Sequence, residues 1–334
     1  MIGYASAIGR EKAMKKHVRR VIRKCCAVIL LCGLLGSVVT PMTVSAAVMK
    51  TDVSKPKEGN ALIGIKGSYL GGAQKALDRI NEIRKEACRQ GVINPATGEK
   101  LKSSDYVPIK WSSSLEYIAR IRAAEASLTM DHVRTNGDGC FMISAPDGIT
   151  SWGEVLAWNF EKDMVHGVNQ WYGEKADWVK QNPYAVTGHY TAMINPKNTY
   201  VGLAAFYTKQ ARYPNTVAGE FMSDDQLEFL NIPLSKVSRE QAKPVSNCVQ
   251  LLEVPLEAID KLCVSGSVKV GKKTCIYAQC GKQKFPLYKG VWNCSDPSVL
   301  TVDNNGRITP KKAGNAIVSV RYGNEKFRIK IKVS

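Results

Sequence analysis

The stretch GHYTAMINPKNTYVGLAAF, residues 188–206, contains two alternating runs on either side of the turn signal NPKN. Alternation of apolar and polar residues is typical of strands, so HYTAMI and TYVGLAAFYTK predict an antiparallel pair. TVAGEFM, residues 216–222, predicts a further strand. The first run begins with His189, and a lone histidine in such a place is most often an ordinary, partly exposed residue. Its significance depends on the side chains that the fold brings to it.

Two amphipathic helices precede these strands. The first is indicated by apolar residues at steps of three and four before Gly91, namely Ala73, Ala76, Leu77, Ile80, Ile83 and Ala87. The second begins with SSLE, where Ser113 and Glu116 have capping-box spacing. Its predicted buried stripe consists of Leu115, Ile118, Ile121, Ala124 and Leu128, and His132 extends this inward face past the helix end. Helices and antiparallel strands therefore share one α+β domain.

A carboxylate interrupts a third apolar stripe. In VNQWYGEKADW, residues 168–178, Val168, Trp171, Glu174 and Trp178 follow one another at steps of three, three and four. Burying an unpaired carboxylate costs several kcal/mol, so Glu174 should have a cationic, hydrogen-bonding or metal partner. In the alternative interpretation, Gly173 bends the helix and Glu174 points to water.

The first 46 residues have the pattern of a signal peptide. A basic region, MKKHVRRVIRK, precedes the apolar run CCAVILLCGLLGSVV, and VSA stands before Ala47 as a cleavage pattern. The apolar run is shorter than the roughly 20 residues that a transmembrane helix needs. The sequence therefore predicts a secreted or extracellular protein, without a transmembrane anchor in its mature form and either released or associated with the cell wall. Residues 47–66, which are polar and rich in Lys and Gly, predict a flexible lead.

The net charge of +18 is unevenly distributed. Residues 47–258 carry 24 Lys/Arg and 24 Asp/Glu, whereas residues 259–334 carry 15 and 4. Such an asymmetry indicates that the basic tail meets a polyanion. Nucleic acid is not the expected partner outside the cell, so an anionic cell-wall polymer is the predicted one.

The basic tail differs from the first domain in its pattern as well as its charge. Short runs such as TCIYAQ, VLTV and AIVSVRY alternate with turn signals, as in a small β-sandwich. In FRIKIKV, residues 327–333, the apolar and basic side chains face opposite ways. Residues 224–258 contain three prolines and no strong period, which indicates a linker with at most one short helix.

Seven cysteines follow the predicted signal peptide, and no pair has the CxxC spacing of a metal site. The number is odd, so at least one cysteine is free or pairs between chains. Cys88 and Cys140 either bridge the first helix to the loop after His132 or stay reduced; the sequence leaves both open. His166 matches no motif and is interpreted as a surface residue.

Four segments in series carry a resemblance: HVRTNGDGCF, GEVLAW, VNQWYGEKADW and GHYTAMINPKNTYVGLAAF. With them, the first domain resembles the CAP superfamily of cysteine-rich secretory, antigen 5 and pathogenesis-related proteins. The tail, through SVKVGKK and VWNCSDPSVLTVDNNGRITPKKAGNAIVSVRYG, resembles a bacterial group 2 Ig-like domain. The predicted boundaries are 67–223 for the CAP domain, 224–258 for the linker and 259–334 for the Ig-like domain.

The CAP resemblance implies an α-β-α sandwich with a central antiparallel sheet, followed here by the all-β Ig-like sandwich. It also implies a cleft lined by His132, Glu154, Glu174 and His189. Two imidazoles with carboxylates suit a divalent metal, zinc above all, with a coordination position left open. The expected metal ligands are His132 and His189, with their rings about 4–7 Å apart, close enough to share one ion. Val155 and Ala192 depart from the family pattern, where polar amides are usual.

Three functions are compatible with these residues. The first, which the resemblance favours over catalysis, is a secreted binding protein that takes a small hydrophobic ligand or a host or cell-surface component. The second is a metal-dependent hydrolase, with Glu154 and Glu174 as the catalytic candidates, one orienting a ligand and the other taking a proton from metal-bound water. The third is a structural wall protein with a vestigial cleft. The sequence does not separate them.

Overall fold

The computed structural model describes residues 46–49 and 51–334, so the predicted signal peptide lies outside the described residues except for its last one. The chain divides into two compact units. The helical unit consists of residues 67–134 and 138–246, and the strand unit consists of the residues up to 66 with 135–137 and 247–334. None of the helices in the described part of the chain has the length and apolar character needed to cross a membrane.

The helical unit is built on an antiparallel sheet. Its helices are α1 (Ala73–Gln90), α2 (Ser113–Thr129), α3 (Met164–Tyr172), α4 (Lys175–Val179), α5 (Gly188–Ile194) and α6 (Asp224–Phe229). Its strands are β3 (Lys110–Trp111), β4 (Gly153–Asn159), β5 (Tyr200–Tyr207) and β6 (Asn215–Met222), with the end of β2 (Asn60–Tyr69). β5 runs antiparallel to β6 and to the end of β2, and parallel to β3, while β6 pairs antiparallel with β4.

Helices cover both faces of this sheet. On one face, α1, α3 and α5 pack against β4, β5 and β6 in a buried cluster that includes Ile80, Trp171, Met193 and Leu203. On the other face, α2 packs against β5 and the residues around α6. This arrangement confirms the predicted α-β-α sandwich, because the alternating side chains of each strand supply apolar surface to two helical layers.

The two long helices follow their predicted stripes. In α1, Ala76, Leu77, Ile80, Ile83 and Ala87 are buried, and Gly91 ends the helix in the left-handed conformation with φ 64°. In α2, the N-cap is Ser112, whose hydroxyl accepts from the backbone N–H of Leu115 at 3.3 Å. The capping box predicted at Ser113 and Glu116 is therefore wrong by one residue, and Glu116 instead accepts from the Trp111 indole at 3.1 Å.

The prediction of a strand over HYTAMI is wrong, because residues 188–194 form the helix α5. The buried residues of this segment are Tyr190, Met193 and Ile194, at steps of three and one. That spacing is compatible with one face of a helix. A short apolar run does not distinguish a helix from a strand by periodicity. His189 therefore lies in the first turn of a helix.

The tryptophan segment forms two helices instead of one. α3 ends at Tyr172 with Gly173 as its C-cap, and α4 begins after Glu174. The break occurs where the alternative interpretation placed a bend. Glu174 does not point to water, however, because its carboxylate has hydrogen-bonding partners, as its position on an apolar stripe predicted.

The strand unit is all-β apart from short turns. Its first sheet contains β1 (Val48–Met49), the start of β2, β7 (Val245–Pro255), β8 (Lys261–Val264), β9 (Thr274–Cys280), β10 (Gln283–Tyr288), β12 (Leu300–Val302) and β13 (Arg307–Pro310). Its second sheet has the order β11 (Val291–Cys294), β14 (Gly314–Tyr322), β15 (Glu325–Val333). The predicted all-β tail is confirmed, while its assignment to the Ig-like family stays a prediction.

Two segments predicted as irregular contain strands. Within residues 224–258, where a linker was expected, α6 is followed by the eleven-residue strand β7. Its last eight residues, CVQLLEVP, are all buried. Within the expected flexible lead, Asn60–Ile65 are buried in β2. Strands buried on both faces lack the alternation by which a sequence reveals them, and this is why both were missed.

Candidate functional site

His132 and Glu154 meet where α2 ends and β4 begins. Met130, in the left-handed conformation with φ 51°, ends α2, and His132 follows two residues later. Glu154 is the second residue of β4, and its carboxylate is almost fully buried. His132 Nδ1 lies 2.7 Å from Glu154 Oε1, while the histidine side chain is 51% exposed. The pair therefore presents an accessible imidazole on a buried carboxylate.

Arg122 holds this pair from inside the helical unit. Its guanidinium donates to Glu154 Oε2 at 2.5 Å and to Glu154 Oε1 at 3.2 Å. It also donates to the carbonyl of Asp131, next to His132, at 3.0 Å, and to Glu125 at 2.7 Å. Arg122 is fully buried, so one buried cation positions both members of the pair. The sequence did not single it out, because it is an arginine within the predicted helix.

The charges of the pair reinforce one another. The hydrogen bond to Glu154 raises the pKa of His132 above its ordinary value. Burial acts to raise the pKa of Glu154, but the hydrogen bond from His132 and the charge of Arg122 outweigh it and hold that pKa below its ordinary value. The folded protein therefore favours an imidazolium beside a carboxylate.

We predict that Glu154→Gln lowers the pKa of His132 in the metal-free protein. The raised pKa makes the contribution of protonated His132 to stability complete below the unfolded value of about 6.5 and lost as pH rises through the folded value. An NMR titration of the His132 ring measures the change directly. Glu161→Gln, at an exposed position, is the matched control and should leave the titration of His132 unaltered. An unchanged His132 titration in Glu154→Gln would contradict the prediction.

Two residues that the sequence did not assign to the site join this pair. Among the described residues, ligand atoms of His132, Cys140 and Glu154 lie within 4.8 Å of one another. Cys140 is a buried free thiol, and burial raises its pKa to about 12. The sequence offered it as a bridge to Cys88, which is also free and buried. The signal for its place was the motif HVRTNGDGCF, which carries both His132 and Cys140.

Glu220 is the second of these residues. It stands directly opposite Glu154 in the pairing of β4 with β6 and is fully buried. Neither of its carboxyl oxygens makes a hydrogen bond of normal geometry with any described residue. Burial, with the charge of Glu154, raises the pKa of Glu220 well above its ordinary value, which favours the neutral carboxylic acid. An acidic residue within the apolar strand TVAGEFM was the available signal.

His189 and Glu174 form the second pair. Glu174 Oε1 is hydrogen-bonded to His189 Nδ1. Glu174 Oε2 accepts from the backbone N–H groups of His189 at 2.9 Å and Tyr190 at 3.1 Å, at the start of α5. At the other end of α5, the buried Arg84 donates to the carbonyls of Met193 and Asn195. The predicted need of Glu174 for a partner is confirmed.

The structure thus places the four predicted residues in two pairs of the same form. In each pair, Nδ1 of the histidine faces a carboxylate, and Nε2 has no hydrogen bond to any described residue. The described cluster of three potential ligands does not include His189 or Glu174. A single ion shared by the two histidines therefore stays a prediction.

A separate cleft of about 630 Å³ lies elsewhere in the helical unit. Its lining includes Tyr69, Arg120, Met164 and Lys243, and none of the four predicted residues. A cavity of this size is in the range of small-molecule sites. Its position does not coincide with the two pairs.

Residues 77–221 match the family model of CAP, the cysteine-rich secretory protein family. These residues are a CAP domain. The match covers all four of the quoted segments and confirms the resemblance for this part of the chain. Both His–Glu pairs lie within the CAP domain. Their geometry is therefore consistent with the assignment of these four residues from the family motifs.

Comparisons of the whole chain add little to this identification. No curated protein matches it. The intimin mutant of EHEC O157:H7 is 16% identical, with coverage of 22% of this chain and 46% of that one and a TM-score of 0.17. The S-layer protein rSbsC(31-844) is 11% identical, with coverage of 57% and 23% and a TM-score of 0.19. Extracellular domains 3–5 of Drosophila OTK are 17% identical, with coverage of 39% and 45% and a TM-score of 0.16. The chain spans less than half of each, and such TM-scores do not establish a shared fold.

Proposed function

We propose that this chain is an extracellular, non-catalytic binding protein whose CAP domain uses a divalent metal, zinc, at His132 and His189. A CAP domain supports an extracellular interaction role without specifying the partner. The observation that carries the proposal is the common form of the two pairs, in which a glutamate engages Nδ1 and leaves Nε2 available. Carboxylates behind imidazoles in this way are typical of zinc-binding histidines.

The donor set fits zinc. Neutral imidazole nitrogens and a thiolate sulfur are its usual protein ligands, and Cys140 lies beside His132 and Glu154. When bound, the metal would supply a Lewis-acidic position at which a ligand oxygen or sulfur can coordinate. His132, His189 and Cys140 are the residues that would hold it, with Glu154 and Glu174 orienting the rings.

The glutamates support binding in preference to hydrolysis. Glu154 accepts three hydrogen bonds, two from Arg122 and one from His132, and Glu174 accepts three from the ring and backbone of α5. A carboxylate offers about four acceptor sites, so each has at most about one left. A general base needs an oxygen that can reach the water whose proton it takes. Both carboxylates are better suited to fixing imidazoles than to carrying protons.

A calorimetric titration with zinc tests the proposal on the chain from Ala47 onward. The wild type should bind zinc, and the double variant His132→Ala, His189→Ala should lose binding by more than about 100-fold, because both ring ligands are absent. Glu154→Gln and Glu174→Gln should each weaken it by about 10- to 100-fold through ring orientation. His166→Ala, at an exposed histidine, is the matched control and should bind as the wild type does. Equal zinc affinity of the double variant and the wild type would refute the metal site.

The proposal includes retention at the cell envelope through the basic strand unit. Its support is the excess of 15 Lys/Arg over 4 Asp/Glu in residues 259–334. Secretion itself rests on the leader pattern of the first 46 residues. In this proposal, the CAP domain takes a small hydrophobic molecule or a host or cell-surface component as its ligand.

A further inference from the structure

On one face of the three-stranded sheet β11–β14–β15, every charged side chain is a cation. The register pairs Arg321 with Lys326, Ser319 with Arg328, Ile317 with Lys330 and Asn315 with Lys332. Because side chains alternate across a strand, these residues share one face. All the charged ones are exposed, while Ala316, Val318, Val320, Ile331 and Val333 are buried on the opposite face. We call the set Arg321, Lys326, Arg328, Lys330 and Lys332 the cationic face.

The acidic residues of the tail do not neutralise this face. Residues 259–334 contain four of them, Asp260, Asp296, Asp303 and Glu325. Asp260, Asp296 and Asp303 accept hydrogen bonds in turns, from Gly281, Ser298 and Asn305 respectively. Glu325 lies opposite Tyr322 in the strand register at the end of the β14–β15 hairpin. Its side chain therefore lies on the other face of the sheet from Lys326. Within the described chain, none of the five cations of the face has an ion pair.

The cations are ordered along the strand. Residues two apart in an antiparallel strand lie about 6.8 Å from each other, so the four basic residues of β15 form a row about 20 Å long. Arg321 on the neighbouring strand lies about 5 Å to the side of Lys326. Protection of an edge strand from aggregation explains lysines on β15. It does not explain Arg321, because β14 is the middle strand of this sheet.

We infer that the cationic face binds a linear phosphodiester polymer of the cell envelope, laid along β15. A chain with one negative charge in each repeat can place successive phosphates beside successive cations, and arginine and lysine both bind phosphate oxygens through charge-assisted hydrogen bonds. Charge complementarity along a row favours a linear polymer over a compact anion. The inference rests on the proposed extracellular location and specifies the surface and partner of the attachment. It is independent of the metal.

Binding of poly(glycerol phosphate) to the chain from Ala47 onward, measured across a range of salt concentrations, tests the inference. The face variant is Lys326→Gln, Arg328→Gln, Lys330→Gln, Lys332→Gln. The matched control removes the same charge at exposed positions in turns of the same unit, with Lys269→Gln, Lys272→Gln, Lys273→Gln and Lys282→Gln. The face variant should bind at least about 10-fold more weakly, and its slope of log affinity against log salt should fall by about 3, at 0.7–0.9 for each lost phosphate contact. The control should keep most of the affinity and slope.

Each other outcome overturns the inference. Equal losses in the two variants would mean that net charge, not this face, attracts the polymer. Binding of poly-L-glutamate as strong as that of poly(glycerol phosphate) would assign a carboxylate polymer, and stronger binding to phosphatidylglycerol vesicles would assign a membrane surface. Zinc titration of the face variant separates this inference from the proposed metal site, since it should bind zinc as the wild type does. A protein that does not distinguish poly(glycerol phosphate) from the other anions, but still binds zinc, would overturn this inference and leave the proposed metal site intact.

Discussion

Arg122→Met should lower the free energy of unfolding of the CAP domain by about 3–5 kcal/mol, the usual result of removing one partner from a buried ion pair. The substitution leaves Glu125 with only Arg134 as a cationic partner and Glu154 with only His132, and it frees the carbonyl of Asp131. Urea unfolding followed by tryptophan fluorescence measures the loss. Five of the six tryptophans lie in the helical unit, so the signal reports mainly on this part of the chain.

Arg79→Met is the control for this experiment. Arg79 also pairs with a glutamate, Glu82 at 3.2 Å, but the two side chains are 27% and 67% exposed. Exposed pairs contribute about 0–1 kcal/mol, so the control should stay within about 1 kcal/mol of the wild type. The double variant Arg122→Met, Glu154→Gln should lose less than the sum of its single changes, because both changes remove the same direct contact between Arg122 and Glu154. A loss under about 1 kcal/mol in Arg122→Met would show that the buried network does not stabilise the fold.

Gly202→Ala should destabilise the CAP domain by about 3 kcal/mol or more, at the upper end for overpacked sites. Gly202 lies in β5 beneath α2, and a Cβ built there would stand 2.0 Å from the backbone nitrogen of Glu116 and 2.2 Å from the carbonyl carbon of Leu115. Both neighbours are backbone atoms, so relief requires α2 to move away from the sheet. The same movement would displace Arg122 from Glu154 and so disturb His132. Urea unfolding and the zinc titration measure the two effects.

Gly139→Ala provides the comparison for the glycine substitution. Its φ is −68°, and a Cβ built there meets no atom within 4 Å. It lies beside Cys140, close to the candidate site, yet it should change stability by no more than about 0.5 kcal/mol. Comparable stability of Gly202→Ala and the wild type would mean that α2 does not pack on β5 as closely as described.

Local periodicity was sufficient for the long elements of the CAP domain. The apolar stripes of α1 and α2 span about four or five turns each, and in both the predicted residues are buried except Ala73, which is partly exposed in the first turn of α1. Over that length the apolar residues share one face only if the segment is a helix, since in a strand they would be divided between both faces. The strands β5 and β6 were also recognised from their sequences, as was the stop at Gly91. The sequence patterns of these helices and strands were therefore sufficient to predict the α+β class.

Short and buried segments were decided by packing. The residues of α5 alternate, but Glu174 accepts the first backbone N–H groups of the helix and Arg84 binds its last carbonyls. These partners come from distant segments, and their hydrogen bonds favour the helix over the strand. β7 is similar, because its apolar run has no period and becomes a strand only beside β1 and β2. Local sequence patterns do not encode these hydrogen bonds and strand pairings with distant segments.

By itself, the sequence determined which residue types are available to the site: two histidines, a carboxylate on an apolar stripe and, through the CAP resemblance, the glutamate of GEVLAW. Only the tertiary structure decided that they form two pairs, that Arg122 holds one of them, and that Cys140 and Glu220 lie beside Glu154. The physical reason is that periodicity specifies the face on which a side chain lies, whereas its partner is set by the register of β4 against β6 and by the packing of α2 on the sheet. Those are contacts between segments far apart in the chain, and no spacing within one segment encodes them.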